Sequence, residues 1–313
     1  MKISGFTMVR NATKLYYPVK ASIESILPIV DEFVVALGNC DADDETQREI
    51  ESINSDKIRI VHTVWDLEQY PHGGEYAHQT DIAKNACTGD WLFYLQSDEV
   101  IHEKYLPVIR SRCEEMLHDE EVEGLVFDYV HFWGDYDHHI VSHVWYPKEI
   151  RIVRNRPDIH SWRDAQSFRR IPQFDGRDYF QKADTFRLKV APAHAAVYHY
   201  GWVRPPRMMQ KKRRSFVADL QGKASAEAYF KTQQDDFDYG DLSKRTLFKG
   251  THPAVMRSFM SKFDWKDELT VKRAHPSDHK HDRLKYRILT FLEQTFLGGR
   301  QIGGFKNYTL LNK

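Results

Sequence analysis

Residues 81–99 read Asp81-Ile82-Ala83-Lys84-Asn85-Ala86-Cys87-Thr88-Gly89-Asp90-Trp91-Leu92-Phe93-Tyr94-Leu95-Gln96-Ser97-Asp98-Glu99, and this stretch decides the fold. It reads as a helix, a glycine stop and then a strand. Trp91 to Leu95 is an unbroken apolar run, the pattern of a strand covered on both faces. The run ends abruptly at Gln96, Ser97, Asp98 and Glu99, which puts polar side chains at the carboxyl end of the strand. That edge is where an open α/β sheet carries its chemistry.

Working back toward the N-terminus, the same unit repeats. Ile3 to Val9 leans toward strand and breaks at Arg10-Asn11-Ala12-Thr13, and Tyr17 to Leu27 carries Val19, Ile23, Ile26 and Leu27 at helical spacing until Pro28. Phe33 to Leu37 is a second buried strand, closed by the acidic loop Gly38-Asn39-Cys40-Asp41-Ala42-Asp43-Asp44-Glu45-Thr46. Asp44 or Thr46 suits the cap of a helix over Gln47 to Ile53, where carboxylates also complement the helix dipole. Ile58 to His62 gives a third strand, and a helix from Tyr76 to Ala86 follows Pro71-His72-Gly73-Gly74. This alternation predicts parallel strands with right-handed crossovers, a nucleotide-binding half over residues 1–100. No Gly-x-Gly-x-x-Gly follows the first strand and no Gly-x-x-x-x-Gly-Lys-Ser/Thr occurs, so a glycine-rich phosphate loop is not supported.

Downstream, a helix is expected over Tyr105 to Leu117, then strands at Gly124 to Phe132 and within Val144 to Val153 that extend the sheet in antiparallel fashion. Residues 158–187 are rich in Arg, Asp and aromatics and read as pocket-shaping loops. Val190 to Tyr200 is a further strand, with His199 near its exit. From Pro206 the pattern is helical, with Met209, Phe216, Val217 and Leu220 on one stripe. Beyond Ser225 the chain is polar and broken by Gly240, Gly250, Pro253 and Pro276, until Arg283 to Phe296 forms one more helix. The expected organisation is a domain over 1–204, in halves 1–100 and 101–204, and a mainly helical extension over 205–313.

Composition narrows the class. Among 313 residues, 45 Lys plus Arg balance 45 Asp plus Glu, so no global field favours nucleic acid or an anionic membrane, and any anion site must be a local patch. Hydrophobic residues at 41% fit a folded globular chain. Cys40, Cys87 and Cys113 are odd in number and widely spaced, which argues against a disulfide framework and for a reducing compartment. No apolar run approaches the ~20 residues needed to span a bilayer. The expectation is a cytoplasmic protein. The basic segment 204–214 holds Arg204, Arg207, Lys211, Lys212, Arg213 and Arg214, and reads either as a solvated helix face or as a docking face for diphosphate or for a lipid-linked acceptor at the inner membrane surface. The histidines from His131 to His143 match no metal-hydrolase spacing and read as an acceptor-side loop or plain surface.

Four features, taken in order, resemble the inverting nucleotide-sugar glycosyltransferases of family 2, which have the GT-A fold. They are the strand exit Phe6-Thr7-Met8-Val9-Arg10-Asn11, the loop from Gly38 to Thr46, the stretch Gly89 to Glu99, and His199-Tyr200-Gly201-Trp202. The resemblance covers about residues 1–202. It implies an α/β fold with a mostly parallel central sheet flanked by helices, and transfer of a sugar from a nucleotide-sugar donor to a hydroxyl of a glycan or lipid-linked acceptor. By the same likeness, Mn²⁺ or Mg²⁺ is held by Asp98 and His199, and Thr7, Arg10, Asn11, Asp41, Asp81, Gln96 and Ser97 meet the nucleotide sugar. Inversion requires a base for the acceptor hydroxyl proton. Asp164 is the obvious carboxylate, with Asp158 and Asp175 competing. Gln96 departs from the family, which has an Asp there, and a neutral amide supplies no second carboxylate. Two other readings stand beside this one: a non-catalytic nucleotide-sugar or glycan-binding protein, and a sugar nucleotidyltransferase, for which the glycine- and lysine-rich phosphate loop is missing.

Overall fold

The computed structural model describes residues 1–269, 279–304 and 306–313; Pro276 lies outside them. The first half alternates as the apolar runs require: β1 (Ile3–Val9), α1 (Val19–Ile26), β2 (Glu32–Leu37), α2 (Thr46–Glu51), β3 (Ile58–His62), α3 (Gly74–Asn85) and β4 (Trp91–Tyr94). Every residue of β4 is buried, because helices cover both faces of the sheet there. The four strands lie in the order β3-β2-β1-β4, all parallel. Phe6 stands opposite Tyr94 and Val9 opposite Leu37, so the exits of β1, β2 and β4 open onto one edge. The acidic loop is tied to that edge by Asp44, which accepts from Thr46 N at 3.0 Å and from the Thr13 hydroxyl at 2.5 Å; the cap position of α2 is Glu45, not the expected Asp44 or Thr46.

The second half adds β5 (Glu99–Ile101), α4 (Leu106–Glu115), β6 (Gly124–Trp133), β7 (His138–Ile140), β8 (Lys148–Arg154), β9 (Ile159–Trp162), β10 (Ser167–Arg170) and β11 (Phe186–Trp202). Strand β8 runs antiparallel between β4 and β6, and β11 is parallel to β6, giving a mixed sheet. Residues 158–187 are not loops throughout. They contain the β9–β10 hairpin, with Ser167 opposite Trp162 and Arg170 opposite Ile159. Its inward groups include Arg169, whose guanidinium lies 4.2 Å from the Trp162 ring centre and donates to the Asn307 carbonyl at 2.9 Å. The hairpin also buries Ile159, Trp162 and Phe168, but these are interleaved with buried Ser161, Ser167 and Arg169, so no apolar run is left to read.

The remaining elements are α5 (Pro206–Gln221), α6 (Lys223–Phe230), β12 (Thr246–Leu247), the single-turn helices α7 (Arg257–Met260) and α8 (Lys266–Leu269), α9 (Leu284–Phe296) and β13 (Tyr308–Leu310). They are built into the sheet's own packing. Phe237, Tyr239 and Trp265 share a core with Phe132, Trp133 and Tyr200 of β6 and β11. Trp133 donates its indole N–H to the Tyr239 carbonyl at 2.8 Å, and Trp265 donates to that of Gly134 at 3.0 Å. β13 extends the sheet alongside β11, parallel to it.

Candidate active site

A cleft of about 380 Å³ opens at the shared strand edge. Arg10 and Asn11 line it from the exit of β1, Gln96, Ser97 and Asp98 from the exit of β4, and His199 from β11. Helix α5 closes the far wall with Lys212, Phe216 and Asp219.

Strand pairing brings the two most distant of these residues together. β5 runs antiparallel to β11 with Glu99 opposite His199, so Asp98, one residue before β5, comes to lie with Oδ2 3.8 Å from His199 Nε2. The register is held from beneath by Glu99, fully buried and bound by Arg151 through two contacts of 2.7 Å, with the Tyr129 hydroxyl donating at 2.7 Å.

The hydrogen bonds around His199 fix its tautomer. His131 Nε2 lies 2.9 Å from the Tyr146 carbonyl oxygen, which can only accept, so that nitrogen carries the proton. Burial lowers the His131 pKa to about 3, so the ring is neutral and its Nδ1 is an acceptor. His199 Nδ1, 3.0 Å away, is then the donor, and its Nε2 presents a lone pair toward Asp98. Burial also lowers the His199 pKa to about 4, against the opposing pull of Asp98. At neutral pH a lone pair and a carboxylate oxygen therefore face one another across an open space. Gly201 keeps it open: a Cβ there would lie 2.4 Å from His199 Nε2 and 2.7 Å from Asp98 Oδ2.

An imidazole oriented by a hydrogen bond on its other nitrogen, facing a carboxylate, is a donor set that fits a divalent ion of the Mn²⁺ type. Among the described residues no three His, Cys, Asp or Glu side chains assemble, so further donors must come from a ligand or water. Lys212 already holds the same carboxylate. Its Nζ donates to Asp98 Oδ2 at 3.1 Å and to the Gly201 carbonyl at 2.9 Å. Burial alone would raise the Asp98 pKa, but Lys212, His199 and Arg204 outweigh it and bring it to about 2. Burial, reinforced by Arg204 and opposed by Asp98, lowers the Lys212 pKa to about 8. Arg204 itself is fully buried, donates to the Leu15 carbonyl at 2.9 Å, and lies 4.6 Å from the Tyr17 ring centre. The basic segment 204–214 is thus not one solvated face, since two of its cations point inward.

The other expected site residues divide into those in the cleft and those outside it. Arg10 donates to the Asn39 carbonyl at 3.2 Å and lies 5.3 Å from the Trp65 ring centre. Asn11 adopts a left-handed φ of 53° and accepts from Asp41 N at 2.8 Å. Asp41 sits in an adjoining groove, its carboxylate 2.7 Å from Lys14 Nζ. Gln96 donates to the Ala165 carbonyl at 3.3 Å. Thr7 does not line the cleft, because its hydroxyl is spent on the Leu95 carbonyl at 2.6 Å inside the sheet. Asp81 does not line it either. Its buried carboxylate accepts from Ser161 N at 2.8 Å and meets His160 Nδ1 at 2.9 Å, pinning α3 to β9.

Asp164 stands in the β9–β10 turn, between Arg163 and Ala165 at φ 59° and 61°. The Ala165 carbonyl of this turn accepts from Gln96 of the cleft, but Asp164 itself does not line the cleft and lies beside Gly73 at the start of α3. Burial raises the Asp164 pKa, with its own backbone N–H and Arg163 opposing. The competing carboxylates are engaged locally: Asp158 with Arg156 at 3.2 Å, and Asp175 with the N–H groups of Arg177 and Asp178 at 2.8 and 2.9 Å.

Sequence reasoning singled out neither Tyr76 nor Asp219, and it named Lys212 only as one of the six cations of 204–214. Tyr76 donates to Asp219 at 2.7 Å and its ring stacks on Phe216 at 6.1 Å, latching α3 to α5 over the cleft. Burial raises the Asp219 pKa, with Tyr76 opposing. A signal for Lys212 was present: at helical spacing it lies between Met209 and Phe216, on the inward stripe.

Neither a family model nor a curated protein sequence matches this chain. Among solved structures it is similar to glucosyl-3-phosphoglycerate synthase from Mycobacterium tuberculosis in complex with Mn²⁺, uridine diphosphate and phosphoglyceric acid, at 19% identity and a TM-score of 0.29. That match spans 42% of this chain and 43% of the synthase, less than half of either. It is also similar to S. aureus TarS 1–349, at 13% identity and a TM-score of 0.38, over 74% of this chain and 73% of that one.

Proposed function

We propose that this chain is a glycosyltransferase of the GT-A type, moving a sugar from a nucleotide-diphosphate donor to an acceptor hydroxyl with inversion. The observation that carries the reading is the convergence of Asp98 Oδ2 and His199 Nε2, 3.8 Å apart at the carboxyl edge of a nucleotide-binding sheet. Asp98 and His199 would hold a divalent Mn²⁺ or Mg²⁺, and such an ion supplies neutralisation of the charge that grows on a departing diphosphate. Lys212, charged at neutral pH although its pKa is lowered to about 8, contributes a second cation to the same wall, and Arg10 another at the cleft mouth.

In this reading Asn11 and Ser97 serve the ribose, and Asp41, in the adjoining groove, serves the base edge. Asp164 takes the acceptor proton, a role its raised pKa suits, because a partly desolvated carboxylate is a stronger base. In this reading residues 1–204 carry the chemistry, with a glycan or lipid-linked acceptor approaching from the β9–β10 side, and α5 of the 205–313 extension completes the donor cleft. In this reading the protein acts in the cytoplasm, with peripheral contact at the inner face of the membrane.

The test is release of nucleoside diphosphate from a panel of nucleotide sugars with candidate acceptors, with and without Mn²⁺, in the wild type and in Asp98→Asn. The amide retains an acceptor for Lys212, so the fold is kept and checked by near-UV circular dichroism. Loss of turnover on the order of 10²-fold is expected. Full activity in Asp98→Asn would remove the metal-site assignment, and Mn²⁺-dependent binding without turnover on any acceptor would favour a binding protein.

A further inference from the structure

Helix α9 is oriented the reverse of an ordinary surface helix. At 3.6 residues per turn, Leu284, Ile288, Phe291, Leu292 and Phe296 fall on one stripe, and all five are exposed, from 37% at Leu292 to 71% at Leu284. The polar face is the one turned inward. Glu293 is only 1% exposed, with its carboxylate 2.6 Å from His143 Nδ1 and accepting from Ile302 N at 2.7 Å. Thr290 accepts from His143 N at 2.9 Å, and Gln301 donates to the carbonyls of His143 and Trp145 at 2.9 and 2.7 Å. These anchors fix the rotation of the helix about its axis. Rolling the stripe inward would strip a buried carboxylate of its partners.

A contiguous apolar stripe held outward marks a surface that something covers. The charges beside it indicate what that is. Residues 283–306 carry Arg283, Lys285, Arg287, Arg300 and Lys306, all exposed, against the single acid Glu293, which is buried. This segregation occurs in a chain whose total charge is balanced. Two copies of this face brought together would oppose the same cations, whereas anionic headgroups complement them and the acyl boundary accepts the apolar side chains. No helix among the described residues is long and apolar enough to cross a membrane, so the contact lies in the plane of the surface.

We propose that α9 is an interfacial helix that docks this protein on an anionic lipid bilayer. The inference is independent of the glycosyl-transfer reading. It is tested by co-sedimentation of the full chain with vesicles of phosphatidylcholine alone or mixed with phosphatidylglycerol, over a range of NaCl. Binding to the anionic vesicles is expected, weakening as salt rises, with little binding to the neutral ones. The double variant F291E/F296E alters only exposed positions and should keep the wild-type circular dichroism and Tm while losing about tenfold or more in partitioning. R283E/K285E/R287E should abolish the preference for anionic vesicles. Equal partitioning of F291E/F296E and wild type, or no binding to either vesicle, overturns the proposal. So does a dimer in solution that F291E/F296E dissociates without any vesicle binding, since a second copy would then be the cover.

Discussion

Gly201 is the residue whose smallest change should disturb the site most directly. A methyl at this position would fill the space in front of His199 Nε2 and Asp98 Oδ2, and G201A should lower Mn²⁺ affinity about tenfold or more by titration calorimetry. The crowding should also cost about 1–3 kcal/mol in urea unfolding. Asp164 behaves in the opposite sense. Its folded pKa is raised, so ionisation is a cost to the folded state, and D164N should be neutral or mildly stabilising near pH 7. The same substitution should lower kcat by about 10²–10⁴-fold. A base works only when deprotonated, so the wild-type rate should fall on the acid side at a pH above the ordinary carboxylate range. In D164N that limb should disappear from the pH profile. At this scale the placement of Asp98 and His199 at neighbouring strand ends was legible from residue type and position. That Thr7 and Asp81 lie outside the cleft was not, because the hydroxyl in β1 is consumed by the Leu95 carbonyl and the carboxylate on α3 by Ser161 N and His160.

Strands and helices decide whether those residues meet. The β5–β11 pairing rests on the Glu99–Arg151 pair, both members fully buried. E99Q should cost about 3–5 kcal/mol, because it leaves a guanidinium uncompensated, and the loosened register should depress kcat further than the stability loss alone. The α3–α5 latch is milder. Y76F removes the hydrogen bond to Asp219 and should cost about 1–3 kcal/mol, with donor KM rising more than kcat falls, since α5 forms the cleft wall. β1, β2, β4 and α1 could be read because their burial is mostly apolar and follows the period of the element, whereas α3 buries Glu75, Gln79, Thr80 and Asp81. The β9–β10 hairpin could not, since Ser167 and Arg169 are buried there through polar contacts. Lys212 was hidden for a related reason: among six cations in one short segment, charge alone does not say which faces inward.

For the molecule as a whole, net charge concealed a division of labour. The balance of 45 against 45 correctly argues against a global field, yet the cations gather around the apolar stripe of α9 and in the wall of the cleft. Periodicity showed that 283–296 is helical and apolar on one side. Which side faces the protein was settled by Glu293, Thr290 and Gln301, whose partners around His143 and Trp145 lie far away in the chain. The pairing of β5 with β11 has a temporal consequence as well. During synthesis on a ribosome, Asp98 and the parallel crossovers around it emerge long before His199 exists. On the proposed reading, a nascent chain would already have the Asp98 side of the cleft and not yet the His199 that completes the donor pair. A chain interrupted before β11 would then hold no metal there and transfer no sugar.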